Sequence, residues 1–426
     1  MSFHKKNLFS ALIIFIFIIF SLKYNLFSFY IPPVKNSFGD IVKFADWTVI
    51  VDLAKCFQLG VNVFSNNTCD VAGRPHVYGT ILLYLPLAVS FYEYYIFIIP
   101  LIIIFSLILI INIFFQPKSF LDYLTMIFII LSTPLILAIE RLNTEIIIFF
   151  FIIFLSLINN SKIQKIIVLL LSSIKFYPVA LVLFFFFQKL QIKSFLKNLV
   201  YLIIMLICFY FDKDQILSVF SKRNIINPST VDNVGSLIFS FYGIPELMKS
   251  IILHLKFFII KKNEISYLAY NISLLFIIFF VLFRIFRHLL KLDLNYQSEF
   301  IFNFEYFEDK LFVFSVILIL TVYFMSMSYV YKEIYFLGLI PMLKKKIIKD
   351  ENTLSKKIYN LIKIKFIFFS FLWVVQLIFF SHSLYFKGLN ILIKNLIDLY
   401  LVTILLTIFL SLLLFFLKIN FTLNKK

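Results

Sequence analysis

The chain has 426 residues, of which 62% are hydrophobic and 20% aromatic, and its formal net charge is +18. Its mean hydropathy of +1.00 excludes a water-soluble globular protein, because a surface of that composition would aggregate. Several segments reach the roughly 18–20 apolar residues that are needed to cross a bilayer. The sequence therefore predicts an all-α, multi-pass membrane protein in contact with the lipid bilayer.

The positive charge invites a nucleic-acid-binding interpretation, which we reject. Phe, Ile, Lys, Asn and Tyr are over-used together, which is the bias that AT-rich codons produce, and the chain has no soluble nucleic-acid-binding module. The lysines instead indicate topology, since cytoplasmic loops of membrane proteins are enriched in Lys and Arg. The codon bias also favours a bacterial source, and hence the inner (plasma) membrane.

The chain begins with a basic stretch and an apolar helix. No small-residue cleavage site follows, so we expect an uncleaved first helix with its basic end inside the cell. A long, semi-polar first outer loop is predicted at residues 23–76. Within it, FADWTVIVDLAKCFQLG predicts a short amphipathic helix that ends at Gly60. Cys56 and Cys69 share this loop, and a disulfide between them is expected if the loop faces an oxidising space.

Apolar runs then predict about ten to twelve membrane segments within one integral-membrane domain, residues 1–426. A second outer loop is predicted at residues 212–265. Two short turns, ERLNTE at 140–145 and YVYKE at 329–333, are also predicted on the outer side. The predicted membrane segments after the first loop are 95–115, 121–139, 146–158, 166–187, 198–211, 268–283, 312–329, 334–343, 364–380 and 389–417.

The run SSIKFYPVALVLFFFF, residues 172–187, carries Lys175 near its middle, where a charge in lipid costs about 3 kcal/mol or more. Basic residues flank the run on both sides, so a single crossing would violate the positive-inside rule. Pro178 disfavours helix at Tyr177 and interrupts the hydrogen-bond ladder. Two half-helices that break at KFYP would carry Lys175 into a cavity open to the outer side. One ordinary helix with a snorkelling Lys175 is the alternative.

Under this topology the unusual polar residues lie on the outer side. Asp46 and Asp40 are candidate catalytic residues, because a carboxylate can take a proton from a hydroxyl group. Nearby cations and polar groups are suited to hold a phosphate, with no metal site predicted. Each residue also has an ordinary interpretation as a helix cap, a solvated acid or an interfacial anchor. The candidate substrate-binding residues are Arg141, Asn143, Lys175, Tyr177, Tyr331 and Lys332.

Four stretches, spread over about residues 38 to 345, together resemble the GT-C class of integral-membrane glycosyltransferases, and within it glycosyltransferase family 87 of the mannosyltransferase-like type. ADWTVIVDLAKCFQLGVNVF resembles the family's first-loop pattern, and ERLNTEIIIFFFIIF resembles its polar turn before an apolar helix. SSIKFYPVALVLFFFFQK resembles its lysine-aromatic-tyrosine-proline motif, and YVYKEIYFLGLIPML its late tyrosine-basic turn. The chain departs from the pattern at Ile50, where a tyrosine is expected, and at Lys332, where arginine is common.

The resemblance implies a GT-C-like helical bundle that transfers a hexose, with mannose as the first candidate. The donor would be a polyprenyl-phosphate sugar and the acceptor a lipid or glycan, with inversion, on the outer face and without a cofactor. Asp46 aligns with the family's proposed catalytic acid position and would be the general base, with Asp40 in reserve. Arg141, Lys175 and Lys332 would stabilise the leaving lipid phosphate.

Two other functions stay open on the sequence. The first is a transporter or flippase of lipid-linked saccharides, because broken helices around a buried cation also suit transport. The second is an O-antigen-type polymerase or ligase, which would rely on outer-loop arginines; Arg74 and Arg223 are the only candidates.

Overall fold

The structure of the protein is a computed structural model. It describes residues 3–29, 34, 39–64, 69, 76, 78–85, 89–188, 192–211, 276, 280, 283, 302–324, 330–350, 353–379 and 393–411. The predicted second outer loop, 212–265, lies outside the described residues, as do Arg74 and Arg223.

The described part of the chain is mostly helical and contains no strand, which confirms the all-α prediction. Two of its helices, Tyr94–Phe115 and Ile393–Ser411, are long and apolar enough to cross a membrane. A bent pair, Phe120–Ile130 with Thr133–Arg141, makes a third such span if its two halves are taken as one. The larger number of crossings expected from hydropathy stays a prediction.

The described residues contain a series of α-helices. In chain order they are α1 (Phe3–Lys23), α2 (Ala45–Gln58), α3 (Ile99–Phe115), α4 (Phe120–Ile130), α5 (Thr133–Arg141), α6 (Thr144–Leu157), α7 (Ser161–Ile174), α8 (Val182–Gln188), α9 (Ile192–Phe211), α10 (Phe307–Phe324), α11 (Ile340–Asp350), α12 (Thr353–Phe379) and α13 (Ile393–Ser411). Short 3-10 helices occupy Leu26–Phe29, Thr80–Tyr84, Tyr177–Leu181 and Val330–Leu339, and a π-helical turn, Tyr94–Ile98, leads into α3.

The chain forms two compact units. The first comprises Met1–Val179, Ile203–Ile225 and Phe366–Phe379, and the second comprises Ala180–Leu202, Ile226–Lys365 and Phe380–Lys426. The prediction of one integral-membrane domain across residues 1–426 stays a prediction.

In the first unit, α2 is the short helix predicted inside the first loop. Phe44 precedes it in a left-handed conformation, with φ of 51°, and Gly60 follows it with φ of 84°. Gly60 accepts this backbone conformation without the steric cost that a Cβ atom would bring. Nine of the first ten residues of α2 are buried, so the helix is covered all round and not on one face only; Trp47, Ile50 and Leu53 are among them. The predicted helix and its end at Gly60 are therefore confirmed.

The predicted crossing at 121–139 is bent. Helices α4 and α5 meet at an angle of 54° around Leu131 and Ser132. Pro134 lies in the first turn of α5, where its missing N–H group leaves no helical hydrogen bond unmade. At the bend, Ser132 donates two hydrogen bonds to the carbonyl of Ile129, one of 2.6 Å from Oγ and one of 3.1 Å from the backbone N–H.

The predicted run 166–187 is not one helix. Helix α7 ends at Ile174, Lys175 is extended with φ of −142° and ψ of 147°, and a 3-10 helix begins at Tyr177. Pro178 accounts for the interruption, because it has no N–H group to donate to the carbonyl of Ile174, four residues earlier. The break at KFYP is therefore confirmed, and the return of both halves to one side of a membrane stays a prediction.

In the second unit, the 3-10 helix Val330–Leu339 packs closely on α10. A Cβ atom at Gly338 would lie 2.0 Å from Ser315 Oγ, so only glycine fits at this position without movement of α10. This contact fixes the 3-10 helix that carries Tyr331 and Lys332.

Candidate functional site

Five side chains from three separate parts of the first unit form one hydrogen-bonded group, which we call the polar cluster. They are Asp46 on α2, Asn143 and Glu145 at the start of α6, and Lys175 and Tyr177 at the break after α7. Residues up to 131 positions apart in the sequence, from Asp46 to Tyr177, therefore meet at one place. The break in the helix is what brings the lysine and the tyrosine to the same point.

Asn143 is the centre of the polar cluster. Its Nδ2 donates a hydrogen bond of 2.5 Å to Asp46 Oδ2, and its Oδ1 accepts a longer one of 3.4 Å from Lys175 Nζ. The same Oδ1 accepts from the backbone N–H of Glu145 at 3.1 Å, so Asn143 is also the N-cap of α6. One amide thus joins a carboxylate to an ammonium group and fixes the helix start between them.

Lys175 forms an ion pair with Glu145. Lys175 Nζ lies 2.7 Å from Glu145 Oε1, and the hydroxyl of Tyr177 donates a hydrogen bond to Glu145 Oε2. Glu145 is completely buried in the first turn of α6, where the helix N-terminus favours a negative charge. The Lys175 side chain keeps 14% of its surface exposed, and its Nζ lies 5.3 Å from the centre of the Tyr78 ring. The charge of the lysine is therefore balanced within the protein.

Asp46 lies in the first turn of α2 and is 8% exposed. The backbone N–H of Phe44 donates a 3.1 Å hydrogen bond to the carbonyl of Glu140, so the start of α2 is anchored to the end of α5. Phe44 before Asp46 and Leu142 before Asn143 both have positive φ, at 51° and 44°. Such strained positions in non-glycine residues concentrate at functional sites.

Arg141 and Glu140 lie beside the polar cluster at the end of α5. Arg141 Nε and Glu140 Oε2 are 3.9 Å apart, and both atoms are buried without a hydrogen-bond partner among the described residues. Lys43, on the loop before α2, donates hydrogen bonds to the carbonyl of Leu22 and to Asn25. Burial lowers the pKa of Lys43, and the charge of Glu140 partly offsets this effect.

The segment around Gly79 packs against the break after α7. The Gly79 N–H donates a 3.0 Å hydrogen bond to the carbonyl of Ile174, and a Cβ atom at Gly79 would lie 1.6 Å from the carbonyl oxygen of Ser173. A side chain here would force the two backbones apart. His76, only 4% exposed, lies 3.3 Å from the Gly79 carbonyl through Nε2, and burial lowers the pKa of His76 to about 4.

A disulfide joins Cys56 in the last turn of α2 to Cys69. It closes the loop that follows the helix bearing Asp46. The bond that the sequence left open is therefore present in the structure.

The structure groups some of the predicted site residues and separates others. Asp46, Asn143, Lys175 and Tyr177 lie in the polar cluster, and Arg141 lies next to it in sequence and space. Asp40 is exposed on the segment before α2. The remaining two, Tyr331 and Lys332, belong to the second unit, where they are 8% and 9% exposed.

Glu145 is the member of the polar cluster that the sequence analysis did not select. A lysine in an apolar run requires a counter-charge, and this requirement was the available signal. Nothing in the sequence distinguishes Glu145 from Glu140 as the partner, because the choice depends on which helix face meets the break. In the structure, Glu145 and not Glu140 pairs with Lys175; it follows the bend between α4 and α5 and lies next to the N-cap at Asn143.

The second unit contains its own buried group of charges, which we call the ionic network. Lys365 on α12 lies 3.0 Å from Glu333 Oε2 and also pairs with Asp398 on α13. Lys394 lies 3.0 Å from Asp398 Oδ2 and 3.6 Å from Glu333 Oε1. All four side chains are at most 1% exposed, so the two positive charges are compensated by the two negative charges and not by solvent.

Within the described residues, no three His, Cys, Asp or Glu side chains are grouped so that they could hold a metal ion. No family model, no curated protein and no solved structure matches this chain.

Proposed function

We propose that the chain is an integral-membrane glycosyltransferase with a GT-C-like bundle of about ten to twelve membrane segments. It transfers a hexose, with mannose as the first candidate, from a polyprenyl-phosphate sugar to a lipid or glycan acceptor. The site faces outward from the bacterial inner membrane. The observation that carries the proposal is the Asn143 side chain, which hydrogen-bonds to the Asp46 carboxylate on one side and to the Lys175 ammonium on the other.

The reaction needs one base and one cationic region. Asp46 accepts the proton of the acceptor hydroxyl while that oxygen attacks the anomeric carbon of the donor. The bond between the anomeric carbon and the phosphate oxygen breaks, and its electron pair stays on the phosphate. Because attack and departure occur on opposite faces of the sugar, the configuration inverts. Asp46 then releases the proton to solvent.

The leaving group sets the demand for positive charge. A phosphodiester donor carries one negative charge, and the departing polyprenyl phosphate carries two. Groups that stabilise the added charge lower the barrier more than they tighten donor binding. Lys175 and Arg141 fill this role in the first unit.

Two observations support a membrane site on the outer face. The apolar helices α3 and α13 have the length and composition of membrane spans. The disulfide between Cys56 and Cys69 belongs to α2 and its following loop, and such bonds persist in oxidising compartments rather than in the bacterial cytoplasm. Asp46 also lies on α2, so the disulfide supports an outer location for this residue as well.

The test is label transfer by the purified, reconstituted protein, with radiolabelled polyprenyl-phosphate mannose as donor and a lipid extract of the host as the source of acceptor. The Asp46→Asn variant is compared with Asp40→Asn. Transfer by the wild type that collapses only in Asp46→Asn supports the proposal and the base. Loss of label transfer only in Asp40→Asn would support the transferase function and identify Asp40, and not Asp46, as the general base. Absence of transfer with mannose and with other polyprenyl-phosphate hexoses would contradict the proposal.

A flippase of lipid-linked saccharides is the second candidate, and the ionic network favours it. Fully buried ionisable groups such as Lys365 and Asp398 next to a membrane-length helix are typical of transport proteins. In proteoliposomes, a flippase would move fluorescent polyprenyl-phosphate sugar between leaflets without forming a glycosylated product, whereas a transferase forms the product without requiring this movement.

A further inference from the structure

The Lys175 ammonium already has an anionic partner before any substrate arrives. Glu145 lies 2.7 Å from it and is completely buried, while Lys175 keeps a partly exposed surface. A ligand from outside can therefore reach the lysine but not the glutamate. A phosphate that binds Lys175 has to share its ammonium group with Glu145.

The surroundings of Glu145 hold it as an anion in this competition. The Tyr177 hydroxyl donates to Glu145 Oε2, and the backbone N–H of Glu145 bonds to the Asn143 side chain at the start of α6. A helix N-terminus and a hydroxyl donor both stabilise a carboxylate. The negative charge of Glu145 therefore persists when a phosphate approaches Lys175.

We propose that Glu145 is a positioning residue that competes with the donor phosphate for Lys175. This inference rests on the function proposed above. A singly charged phosphodiester gains only part of the attraction of Lys175, because Glu145 retains the rest. The departing phosphate gains a second negative charge and attracts the ammonium more strongly. Glu145 thereby weakens the binding of both the donor and the product phosphate, which speeds product release, and holds the Lys175 ammonium in place for the transition state.

This arrangement predicts a split between affinity and turnover. In Glu145→Gln, radiolabelled polyprenyl phosphate should bind about tenfold more tightly, because the competing charge is gone. The kcat for transfer should fall by about tenfold or more, since Lys175 loses its fixed position and product leaves slowly. A purely structural role would instead weaken binding and lower kcat together.

The matched control is Glu308→Gln, which removes one acidic charge from the partly exposed ion pair with Lys345 in the second unit; its affinity for polyprenyl phosphate should stay within about twofold of wild type. Glu145→Asp keeps a negative charge for Lys175, but the shorter side chain holds the carboxylate farther from the ammonium group. Its affinity for polyprenyl phosphate should therefore lie between those of wild type and Glu145→Gln. This variant carries the test if Glu145→Gln does not fold.

The binding assay separates this inference from the proposed function. The double variant Lys175→Met/Glu145→Gln leaves neither charge unpaired and differs from Glu145→Gln only at Lys175. If it binds polyprenyl phosphate as well as Glu145→Gln does, the phosphate role of Lys175 is wrong and the inference falls with it. If it loses binding while Glu145→Gln and Glu145→Asp bind no more tightly than wild type, the competition is wrong and the transferase proposal stands.

Discussion

Lys175 Nζ lies 2.7 Å from Oε1 of Glu145, a residue thirty positions earlier in the chain. This pair accounts for a lysine in the middle of an apolar run. The break after α7 turns Lys175 out of the helix, and the start of α6 supplies its counter-charge. Because Glu145 is buried, the pair depends on both partners: loss of one leaves the other without compensation.

Replacement of Lys175 by methionine should destabilise the first unit strongly. The buried Glu145 carboxylate would lose its cation, at a cost of about 3–5 kcal/mol. The double variant Lys175→Met/Glu145→Gln removes both charges and should recover most of this loss. Thermal unfolding in detergent measures both. A single variant as stable as the wild type would contradict the ion pair.

The sequence predicted those parts of the site that depend on local chemistry. Pro178 after Tyr177 predicts the break, and Gly60 predicts the end of α2, because each residue restricts or permits particular backbone angles. Asp46, Asn143 and Lys175 were selected because polar residues at helix ends in an apolar chain are few.

The contacts between these residues depend on tertiary structure and were not predictable. The 54° bend between α4 and α5 comes before Asn143, yet the sequence favours a continuous crossing at 121–139. The partners in the ionic network are up to 65 positions apart, from Glu333 to Asp398, and hydropathy gives no information on which helix faces meet. The choice of Glu145 as the partner of Lys175 depends on the same unpredicted packing.

Asn143 has two roles that substitution can separate. Serine keeps an N-cap oxygen for α6 but cannot reach both Asp46 and Lys175, whereas alanine removes the cap as well. We expect Asn143→Ser to lose label transfer, and Asn143→Ala to lose a further 1 kcal/mol or so of stability relative to Asn143→Ser. Transfer assays and thermal unfolding distinguish the two effects. Full transfer by Asn143→Ser would show that the Asp46 contact is unimportant for turnover.

His76 should make the first unit sensitive to acid. Burial lowers the pKa of His76 to about 4 in the folded protein, against about 6.5 in the unfolded chain. The unfolded state therefore binds the proton of His76 first as the pH falls, and the contribution of His76 to the stability falls between about pH 6.5 and pH 4, by about 2 kcal/mol from pH 7 to pH 5. Unfolding free energies at several pH values in detergent measure this loss. His76→Gln should show a smaller decrease, and an unchanged decrease would assign the acid sensitivity to other groups.

The disulfide between Cys56 and Cys69 should stabilise the segment that follows α2. Closing a loop of this size contributes about 3 kcal/mol in the chain-entropy account. Cys56→Ser and Cys69→Ser should each lower the unfolding temperature, and the double variant should add no further loss. Cys208 serves as the control, since its replacement by serine does not affect this bond. Rapid alkylation of Cys56 or Cys69 in the unreduced native protein would contradict the bond.

The stability of the second unit should depend on whether the buried charges of the ionic network cancel, rather than on how many ion pairs they form. Glu333→Gln leaves two buried lysines with Asp398 alone, which should cost about 3–5 kcal/mol. Glu333→Gln/Lys394→Met restores one pair, Lys365 with Asp398, and should recover most of the stability.

The ion pair between Lys345 and Glu308 provides a control in the same unit, because both side chains are about one-third exposed and the atoms lie 3.1 Å apart. Exposed pairs contribute at most about 1 kcal/mol, so Glu308→Gln should change the unfolding temperature little. If Glu333→Gln lowered the unfolding temperature no more than Glu308→Gln does, water would have to solvate the ionic network. The inference that its buried charges compensate one another would then be wrong.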